Sequence, residues 1–387
     1  MLKIGVIGYG SRLRGLVQPD TLGVFDIPYR VAAVADPRHA EIARGGDACL
    51  QGCQFFDNAD ALLAQADLDG IMIGTRDYLH TEMACKVAAR KLPLFLEKPV
   101  AITFEQARQL ARTFADYQPP VVVSFPLRLS SIAQNVRELI AEGAIGTVEH
   151  VVAWNDVPYG HGYNRMWYRN YDEAGGMWIT KATHDLDVVN YLVGQRPASI
   201  CAMSSRRVFQ GDKPADLHCR DCLELKTCPE STFNLFYQTI EAGDARPREH
   251  DCCVFSAGLR NEDVGNCIVE YDNGVQATYT QNFFVRHKAG RRGARLYGHK
   301  GTIHFDWYEN VIRVYSHRLP TVTTVDFSAS TLGHFGGDRE LLYDFLMAMT
   351  EGRPSRSPLA AGIVSAVTCL CARESCATRT FCKVELP

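Results

Sequence analysis

The chain has 387 residues, which exceeds the size at which a single hydrophobic core usually stops growing, so two domains are expected. Its hydrophobic share of 46% and its charged share of 22% are ordinary for a globular protein, and its formal net charge is -3. This balance creates no large positive field. Composition therefore excludes bulk electrostatic binding to nucleic acid or to an anionic membrane.

The composition and the first residues also predict a compartment. A strand follows the first methionine directly and leads into glycines, so we expect no secretion signal. No apolar run approaches the roughly 20 residues that a membrane span needs. The 14 cysteines, most of them scattered singly, are typical of buried thiols in a reducing compartment. The sequence thus predicts a cytoplasmic protein that binds neither membrane nor nucleic acid.

A glycine-rich turn follows the first predicted strand, Leu2–Ile7. Gly8 and Gly10 stand where a dinucleotide-binding fingerprint needs a tight turn and a close approach of the backbone to pyrophosphate. The third glycine of that fingerprint is absent, because Leu13 occupies its position and Gly15 arrives two residues later. The motif alone is therefore weak and depends on its context.

The second predicted strand, Tyr29–Ala35, supplies that context, because it ends at Asp36. Asp36 follows the glycine turn by about the interval expected for the acid that holds the adenosine ribose. A carboxylate repels a 2′-phosphate and accepts a hydrogen bond from a 2′-hydroxyl, which favours NAD over NADP. Arg12 and Arg38 lie nearby in sequence and soften that preference.

The next two strands end in further polar residues. Residues 69–74 predict a third buried strand that leads to Thr75 and Arg76. His80 opens an amphipathic helix, where it either packs at the helix start or contacts the cofactor.

The fourth strand ends in Glu97-Lys98-Pro99. Proline lacks the amide donor that a central strand needs, so the chain leaves the sheet just after Lys98. Lys98 is then held at the carboxyl end of a strand, where open α/β sheets bind ligands. A lysine anchored there and partly dehydrated can give or take a proton near neutral pH. The alternative is a surface lysine paired with Glu97.

Strand and helix alternate from residue 2 to about 125, which predicts a doubly wound parallel sheet of the Rossmann α/β type. We expect a dinucleotide-binding domain over residues 1–125. The remaining residues, 126–387, predict a substrate-binding α+β domain with a large, mostly antiparallel open sheet, and Asp272-Asn273-Gly274 within it is a strong hairpin signal. We expect the last helix, 358–378, to pack back on the first domain. The uncovered face of the open sheet favours self-association as a homodimer or homotetramer.

With these residues in place, the chain resembles the Gfo/Idh/MocA family of sugar and cyclitol oxidoreductases. The motifs that carry the resemblance are the glycine turn, Gly74-Thr75, His80, Glu97-Lys98-Pro99, Gly175-Gly176, His184-Asp185-Leu186-Asp187, Gly298-His299-Lys300-Gly301-Thr302 and Gly336-Gly337-Asp338. Each motif is weak, but their order and spacing are jointly specific and span nearly the whole chain.

The resemblance implies that Lys98 and His184 flank the substrate carbon that is presented to the nicotinamide. Many relatives carry an aspartate four residues before the histidine, whereas this chain has Thr180 there and Lys181 one residue later. Both positions fall on the helical face of His184, so Lys181 is a third candidate catalytic residue. The predicted cofactor contacts are Gly8, Gly10, Ser11, Arg12, Asp36, Thr75, Arg76, His80, Glu97 and Lys98.

Aromatic and basic residues crowd the approach to Gly175-Gly176, and such rings stack on sugar faces while basic heads bind hydroxyl or acid groups. The predicted substrate contacts are Tyr159, His161, Tyr163, Arg165, Trp167, Arg169 and His184. A predicted hairpin with Arg286, His287, Lys288, Arg291 and Arg292 adds positive charge. It is either a solvated turn or subunit contact, or a site for an anionic sugar such as a uronate or a sulfonated glycoside.

One group of cysteines has metal-like spacing. Cys219 and Cys222 form a C-x-x-C pair, and Cys228 and Cys253 could complete a tetrahedral shell for a structural zinc. The alternatives are reduced thiols packed in an insertion or an adventitious disulfide.

Three functions follow. The first is an NAD-dependent oxidoreductase that converts a ring hydroxyl of a sugar or glycoside, at C3 by family resemblance, to a ketone, with either Lys98 or His184 taking the hydroxyl proton. The second is an NAD-dependent glycosidase, in which oxidation, elimination, hydration and reduction give net hydrolysis, with Lys181 and the tyrosine-rich loop supplying extra proton transfers. The third is a non-catalytic sensor of NAD and sugar.

Overall fold

The computed structural model describes residues 1–18, 26–235, 251–327 and 333–387. Within these residues a six-stranded parallel sheet is followed by a nine-stranded mixed sheet. The predicted fold class, a Rossmann α/β fold with an α+β domain built on a mostly antiparallel sheet, is confirmed. The boundary between residues 125 and 126 stays a prediction.

The first sheet has the strand order β3-β2-β1-β4-β5-β6. Its strands are β1 (Leu2–Ile7), β2 (Tyr29–Ala35), β3 (Gln54–Phe56), β4 (Gly70–Ile73), β5 (Leu94–Leu96) and β6 (Val121–Val123). Its described helices are α1 (Ser11–Val17), α2 (His39–Arg44), α3 (Ala59–Gln65), α4 (His80–Ala89) and α5 (Phe104–Thr113). The strand order reverses between β1 and β4, so the loops after β1, β4 and β5 open onto one crevice, the usual ligand position in such sheets.

The second sheet has the order β14-β13-β12-β11-β7-β10-β9-β8-β15. Its strands are β7 (His150–Asp156), β8 (Pro197–Ser205), β9 (Val264–Tyr271), β10 (Gln276–Asn282), β11 (Arg291–Tyr297), β12 (Gly301–Asp306), β13 (Val311–Ser316), β14 (Val322–Asp326) and β15 (Cys382–Lys383). Neighbours are antiparallel except β7 and β10, which are parallel. Burial alternates along β9, as expected when one face packs on a core and the other does not.

Helices in this part of the chain connect the two sheets. They are α6 (Ser131–Ala141), α7 (Tyr171–Ala174), α8 (Thr183–Val193), α9 (Thr232–Leu235), α10 (Gly337–Glu351) and α11 (Leu359–Thr378). A π-helical turn, Trp178–Ala182, runs directly into α8. Such turns are rare and occur frequently at functional sites.

The turn at Asp272-Asn273-Gly274 joins antiparallel strands β9 and β10, and Gly274 has φ +83°, which confirms the predicted hairpin. The predicted hairpin over 286–292 is wrong. β10 and β11 both pair with β7 rather than with each other, so this segment crosses from one side of β7 to the other. Since β7 lies between β10 and β11 in the sheet, these two strands cannot pair with each other.

Helix α11 lies between the two parts of the molecule. A Cβ on Gly362 would meet Val100 and Val123 of the first sheet's region at 2.8 and 3.0 Å. On the other side, the Ser365 hydroxyl donates to the Thr183 carbonyl at 2.7 Å. Among the described residues, α11 is the one helix long and apolar enough to cross a membrane, and 61% of its apolar window is buried inside the protein.

Candidate active site

Lys98 joins the two parts of the molecule at the crevice. It follows β5 directly, and its Nζ donates a 2.7 Å hydrogen bond to the carbonyl oxygen of Thr180 in the π-helical turn. Burial lowers the pKa of Lys98 from 10.5 to about 8, against the opposing effect of Asp77 and Glu97. At neutral pH a measurable fraction of Lys98 is therefore an uncharged amine.

His80 fixes the backbone around Lys98. Its Nδ1 lies 2.7 Å from the Pro99 carbonyl oxygen and its Nε2 lies 3.2 Å from the Thr75 carbonyl oxygen. The imidazole thus bridges the loops that follow β4 and β5, and burial lowers its pKa. This geometry favours the packing role over direct cofactor contact.

His184 lies one helical turn after Thr180, whose carbonyl oxygen accepts the hydrogen bond from Lys98. Its side chain is 7% exposed, and Nδ1 has no hydrogen-bond partner among the described residues. The ring stacks on His334 with centroids 6.0 Å apart. Burial, followed by the charges of Lys98 and Arg292, lowers the pKa of His184 well below 6.5. The imidazole is therefore neutral at pH 7, and Lys98 lies close enough to influence it.

Lys181 and Tyr159 form a pair beside these residues. Lys181 is 5% exposed and its Nζ donates to the Tyr159 phenol oxygen at 2.8 Å. Burial raises the pKa of Tyr159, but Lys181 and Arg292 outweigh it and bring the value down to about 8. Burial also lowers the pKa of Lys181. The pair therefore joins a lysine and a phenol whose pKa values both lie below their ordinary values.

Arg292 is a cation of the site that the sequence placed only in a charge run. It is 3% exposed, and its Nε donates to Asp185 Oδ1 at 2.6 Å. Asp185 Oδ2 accepts from Asn155 and Tyr279, both at 2.8 Å, so this carboxylate is saturated. Arg292 Nη2 has no partner among the described residues.

The glycine turn provides the backbone shape that a dinucleotide needs. Gly8 has φ +83°, and a Cβ there would lie 2.8 Å from the backbone of Gly74 and Thr75, so only glycine fits. At the end of β2, Asp36 Oδ2 accepts from the Tyr9 amide at 3.0 Å and Oδ1 from the Arg38 amide at 2.8 Å. These two bonds hold the carboxylate beside the glycine turn, as expected of a ribose acceptor.

Arg12 is a structural link rather than a free cofactor contact. Its Nε donates to Glu97 Oε1 at 2.8 Å, and its Nη2 lies 2.7 Å from Asp338 Oδ1. Asp338 Oδ2 also lies 2.9 Å from Nδ1 of His334. Burial raises the pKa of Asp338, but Arg12 and His334 more than reverse that effect. A continuous polar network therefore connects the glycine turn, Glu97 and the histidine that stacks on His184.

The loop that carries Tyr159, Tyr163, Trp167 and Tyr168, the aromatic loop, contacts the first domain at Arg76. The Arg76 guanidinium lies over the Trp167 ring at 4.3 Å, and Trp167 stacks on Tyr168 at 4.0 Å. Tyr163 packs edge-on against Tyr168 at 5.2 Å. Trp167, Tyr163 and Tyr159 therefore form one wall of the site.

Of three predicted substrate contacts, Arg165 points elsewhere. Arg165 donates to the carbonyls of Glu230 and Cys252, which lie in the cysteine-containing insertion between β8 and β9. It also donates to Nδ1 of His161 at 3.1 Å. Arg169 donates to the Ala215 carbonyl at 3.0 Å. Every side-chain nitrogen of Arg165 is engaged, so its predicted substrate role is not supported. The substrate roles of Arg169, whose Nη1 has no partner among the described residues, and of His161 stay predictions.

The predicted zinc site is not supported either. Within the described part of the chain no group of three or more His, Cys, Asp or Glu side chains is arranged to hold a metal ion. Cys219, Cys222, Cys228 and Cys253 are all free. Cys219 Sγ accepts from Arg165 at 3.4 Å and Cys253 Sγ from the Phe255 amide at 3.4 Å. Burial, with a contribution from the neighbouring cysteines, raises the pKa of Cys253.

Sequence reasoning missed Asp77 and His334. Asp77 follows β4 at the carboxyl edge of the sheet, and this position alone could have marked it. Nothing local marks His334, since its place beside His184 depends on the packing of α10 against the loop that follows β6.

Comparison with known proteins agrees with this architecture. The family model described as the oxidoreductase family, NAD-binding Rossmann fold, matches residues 2–125, and the model of the GFO/IDH/MocA C-terminal domain matches residues 133–304. The chain is 25% identical to YteT of Bacillus subtilis (strain 168), a protein named as an oxidoreductase, over 90% of this chain and 89% of that protein.

Two further matches extend the comparison. The chain is 26% identical to 2,7-anhydro-N-acetylneuraminate hydratase of Escherichia coli (strain K12), over 54% of this chain and 55% of that protein, so the match spans about half of each. The solved structure of levoglucosan dehydrogenase in complex with NADH and levoglucosan shares the fold, with a TM-score of 0.76 at 19% identity over 99% of both chains. The chain therefore belongs to the Gfo/Idh/MocA oxidoreductase family and is an NAD-binding enzyme.

Proposed function

We propose that the protein oxidises a ring hydroxyl of a sugar or glycoside, at C3, to a ketone with NAD as the hydride acceptor. The observation that carries the proposal is the convergence of Lys98 and His184. Lys98 Nζ is fixed on the Thr180 carbonyl, one helical turn before His184, and its charge acts on the imidazole. A base and a hydrogen-bonding group thus face one crevice from two parts of the chain.

The residues of the glycine turn fit NAD. Gly8 permits the close backbone approach that pyrophosphate requires, and the Asp36 carboxylate suits a ribose diol rather than a 2′-phosphate. When bound, NAD supplies the hydride acceptor for an alcohol carbon. Ser11, Thr75, Arg76 and Glu97 surround the same crevice as proposed contacts, with Glu97 acting through Arg12.

Lys98 is the proposed base. Its pKa of about 8 lies near neutral pH, where a base combines availability with the driving force to hold the proton it accepts. His184 is neutral, so it can donate a hydrogen bond to the oxygen on which negative charge develops. The wall formed by Tyr159, Tyr163 and Trp167 orients the ring, which converts a collision into a positioned reaction.

The test is turnover on a panel of sugars and glycosides, followed by NADH absorbance and by mass spectrometry of the product. We expect a keto sugar, and the same sugar deuterated at C3 should react several-fold more slowly. Oxidation at another ring carbon would refute the C3 assignment, and a panel in which no sugar reacts while NAD binds would count against the dehydrogenase proposal.

A second candidate is an NAD-dependent glycosidase, and the Lys181–Tyr159 pair favours it. A simple dehydrogenase needs one base, which Lys98 provides. The second pair, joined at 2.8 Å and with a Tyr159 pKa of about 8, supplies a further group that can remove a proton from C2 of a 3-keto sugar. Elimination of the aglycone, addition of water and return of the hydride then complete a net hydrolysis. The hydratase relative fits the same chemistry.

Deuterated water distinguishes these two functions. In the glycosidase, a chromogenic glycoside releases its aglycone, the product carries deuterium at C2, and NADH does not accumulate. In the dehydrogenase, NADH accumulates with the keto glycoside and the aglycone stays attached. Lys181→Met should remove deuterium incorporation while leaving the oxidation step.

The substrate class extends the proposal. Arg286 is paired with Glu230 and Arg291 with Asp156. Arg292 and Lys181 remain as buried cations of the site, and Arg292 Nη2 is unpartnered among the described residues. An acidic substituent, as in a uronate or a sulfonated glycoside, would accept a hydrogen bond from Arg292 Nη2. A higher kcat/KM for a uronate than for its neutral hexose counterpart would support this assignment, and an equal value would remove it.

A further inference from the structure

Asp77 is a buried carboxyl group that the proposed reaction does not yet use. It begins the short 3₁₀ turn Asp77–Leu79 after β4 and is 6% exposed. Within the described residues its one side-chain hydrogen bond is long, 3.5 Å from the Thr180 hydroxyl, which also lies 3.0 Å from the Ala174 carbonyl oxygen. A buried carboxylate with so little hydrogen bonding is costly unless a cation compensates it.

Lys98 is the cation whose charge acts most strongly on Asp77, although the two side chains form no direct ion pair. Three features keep the two residues near each other. Strands β4 and β5 are neighbours, with Ile73 paired to Leu96, so the loops that carry Asp77 and Lys98 leave the sheet side by side. The His80 imidazole ties these loops through the carbonyls that flank them. Thr180 then contacts both side chains, because its hydroxyl faces Asp77 and its carbonyl accepts from Lys98.

The charges around the pair are mixed. Burial raises the pKa of Asp77 to about 7, and Lys98 is the strongest opposing influence. Asp77 is likewise the strongest influence that opposes the lowering of the pKa of Lys98 by burial. The other groups that act on Asp77 are Glu97 and Arg76, and those that act on Lys98 are Glu97, Lys181 and Arg12. Burial, followed by the charges of Asp77 and Glu97, raises the pKa of Tyr168 in the aromatic loop.

We propose that Asp77 is a positioning residue for the Lys98 base: its carboxylate stabilises the ammonium form of Lys98, the form that donates to the Thr180 carbonyl from the same residue whose hydroxyl faces Asp77. The inference rests on the proposed function, since it gives Lys98 its role as base. Residues 178–182 of the π-helical turn contain no carboxylate. The negative charge that stabilises the ammonium group of Lys98 therefore comes from the first domain. After Lys98 accepts the hydroxyl proton, Asp77 neutralises the resulting charge.

The test is the titration of Lys98 in the intact protein. The probe is a trace amount of acetic anhydride, and mass spectrometry measures acetylation of Lys98 against pH. Asp77→Asn keeps the shape and removes the charge, so the midpoint for Lys98 should fall by about one pH unit, and its acetylation at pH 7 should rise about fivefold. Asp60→Asn, an exposed carboxylate on α3 paired with Lys86, is the matched control and should leave the midpoint unchanged.

Thr180→Val is the second variant, in case Asp77→Asn does not fold. It removes the hydroxyl that favours the charged form of Asp77, so the midpoint should fall in the same direction by a smaller amount. A midpoint in either variant equal to that of the wild type would overturn the inference, even if activity falls. Acetylation needs no turnover, so this result is independent of whether the protein oxidises a sugar. Where turnover exists, the acidic limb of kcat/KM should move with the midpoint.

Discussion

The proposed role of Lys98 makes a quantitative prediction about pH. A lysine with the ordinary pKa of 10.5 is about 0.03% neutral at pH 7, whereas a lysine with a pKa of about 8 is about 10% neutral, roughly 300-fold more. Because the base acts in its neutral form, kcat/KM should rise with pH and level off above about 8. Lys98→Met should lower kcat by about 10²- to 10⁴-fold and abolish this limb.

The assay follows NADH absorbance between pH 5.5 and 9.5, with the best substrate of the sugar panel. NADH fluorescence should show that Lys98→Met still binds cofactor, and Lys86→Met, which removes a partly exposed lysine on α4, serves as the control. A limb near 10.5 would show that burial does not tune Lys98. A pH dependence of kcat/KM with its midpoint below 6.5 that persists in Lys98→Met would show that His184, and not Lys98, is the base.

Three further predictions follow from the site. Arg12→Gln removes the shared partner of two buried carboxylates and should reduce the free energy of unfolding by about 3 kcal/mol, seen as a lower Tm; an unchanged Tm would show that the network is not structural. Asp36→Ala should reduce the preference for NAD over NADP, measured as the ratio of their Kd values, and an unchanged ratio would remove the ribose role. Lys181→Met should raise the pKa of Tyr159 from about 8 towards 10 or above, which ultraviolet difference titration of tyrosinate would measure. The same Tyr159 pKa in the variant and the wild type would show that the pair does not interact.

Sequence reasoning reached the fold because its signals are local. Apolar runs ending in glycine or proline marked β1, β4 and β5, and the Asp-Asn-Gly turn marked the β9–β10 hairpin. The open, mostly antiparallel sheet followed from the period of the later strands. The parallel pairing of β7 with β10 did not, because strand neighbours distant in sequence leave no local trace.

The candidate site was predictable only in part, for the same reason. Lys98 and Asp36 were identified because each ends a strand of a parallel sheet, where position implies exposure to the crevice. Arg165 was misjudged, since composition says which residues crowd a loop but not which way they point. Asp77 also follows a strand of this sheet, so its position could have been recognised, but its burial is a property of packing that the sequence does not show.

The most direct test of the central claim is a crystal structure of the protein with NAD and an unreactive analogue of its substrate. The account predicts that one ring hydroxyl lies within about 3 Å of both Lys98 Nζ and a ring nitrogen of His184, with its carbon facing the nicotinamide. A sugar bound against Arg165 and Arg169, with neither Lys98 nor His184 in contact with it, would contradict the proposed mechanism.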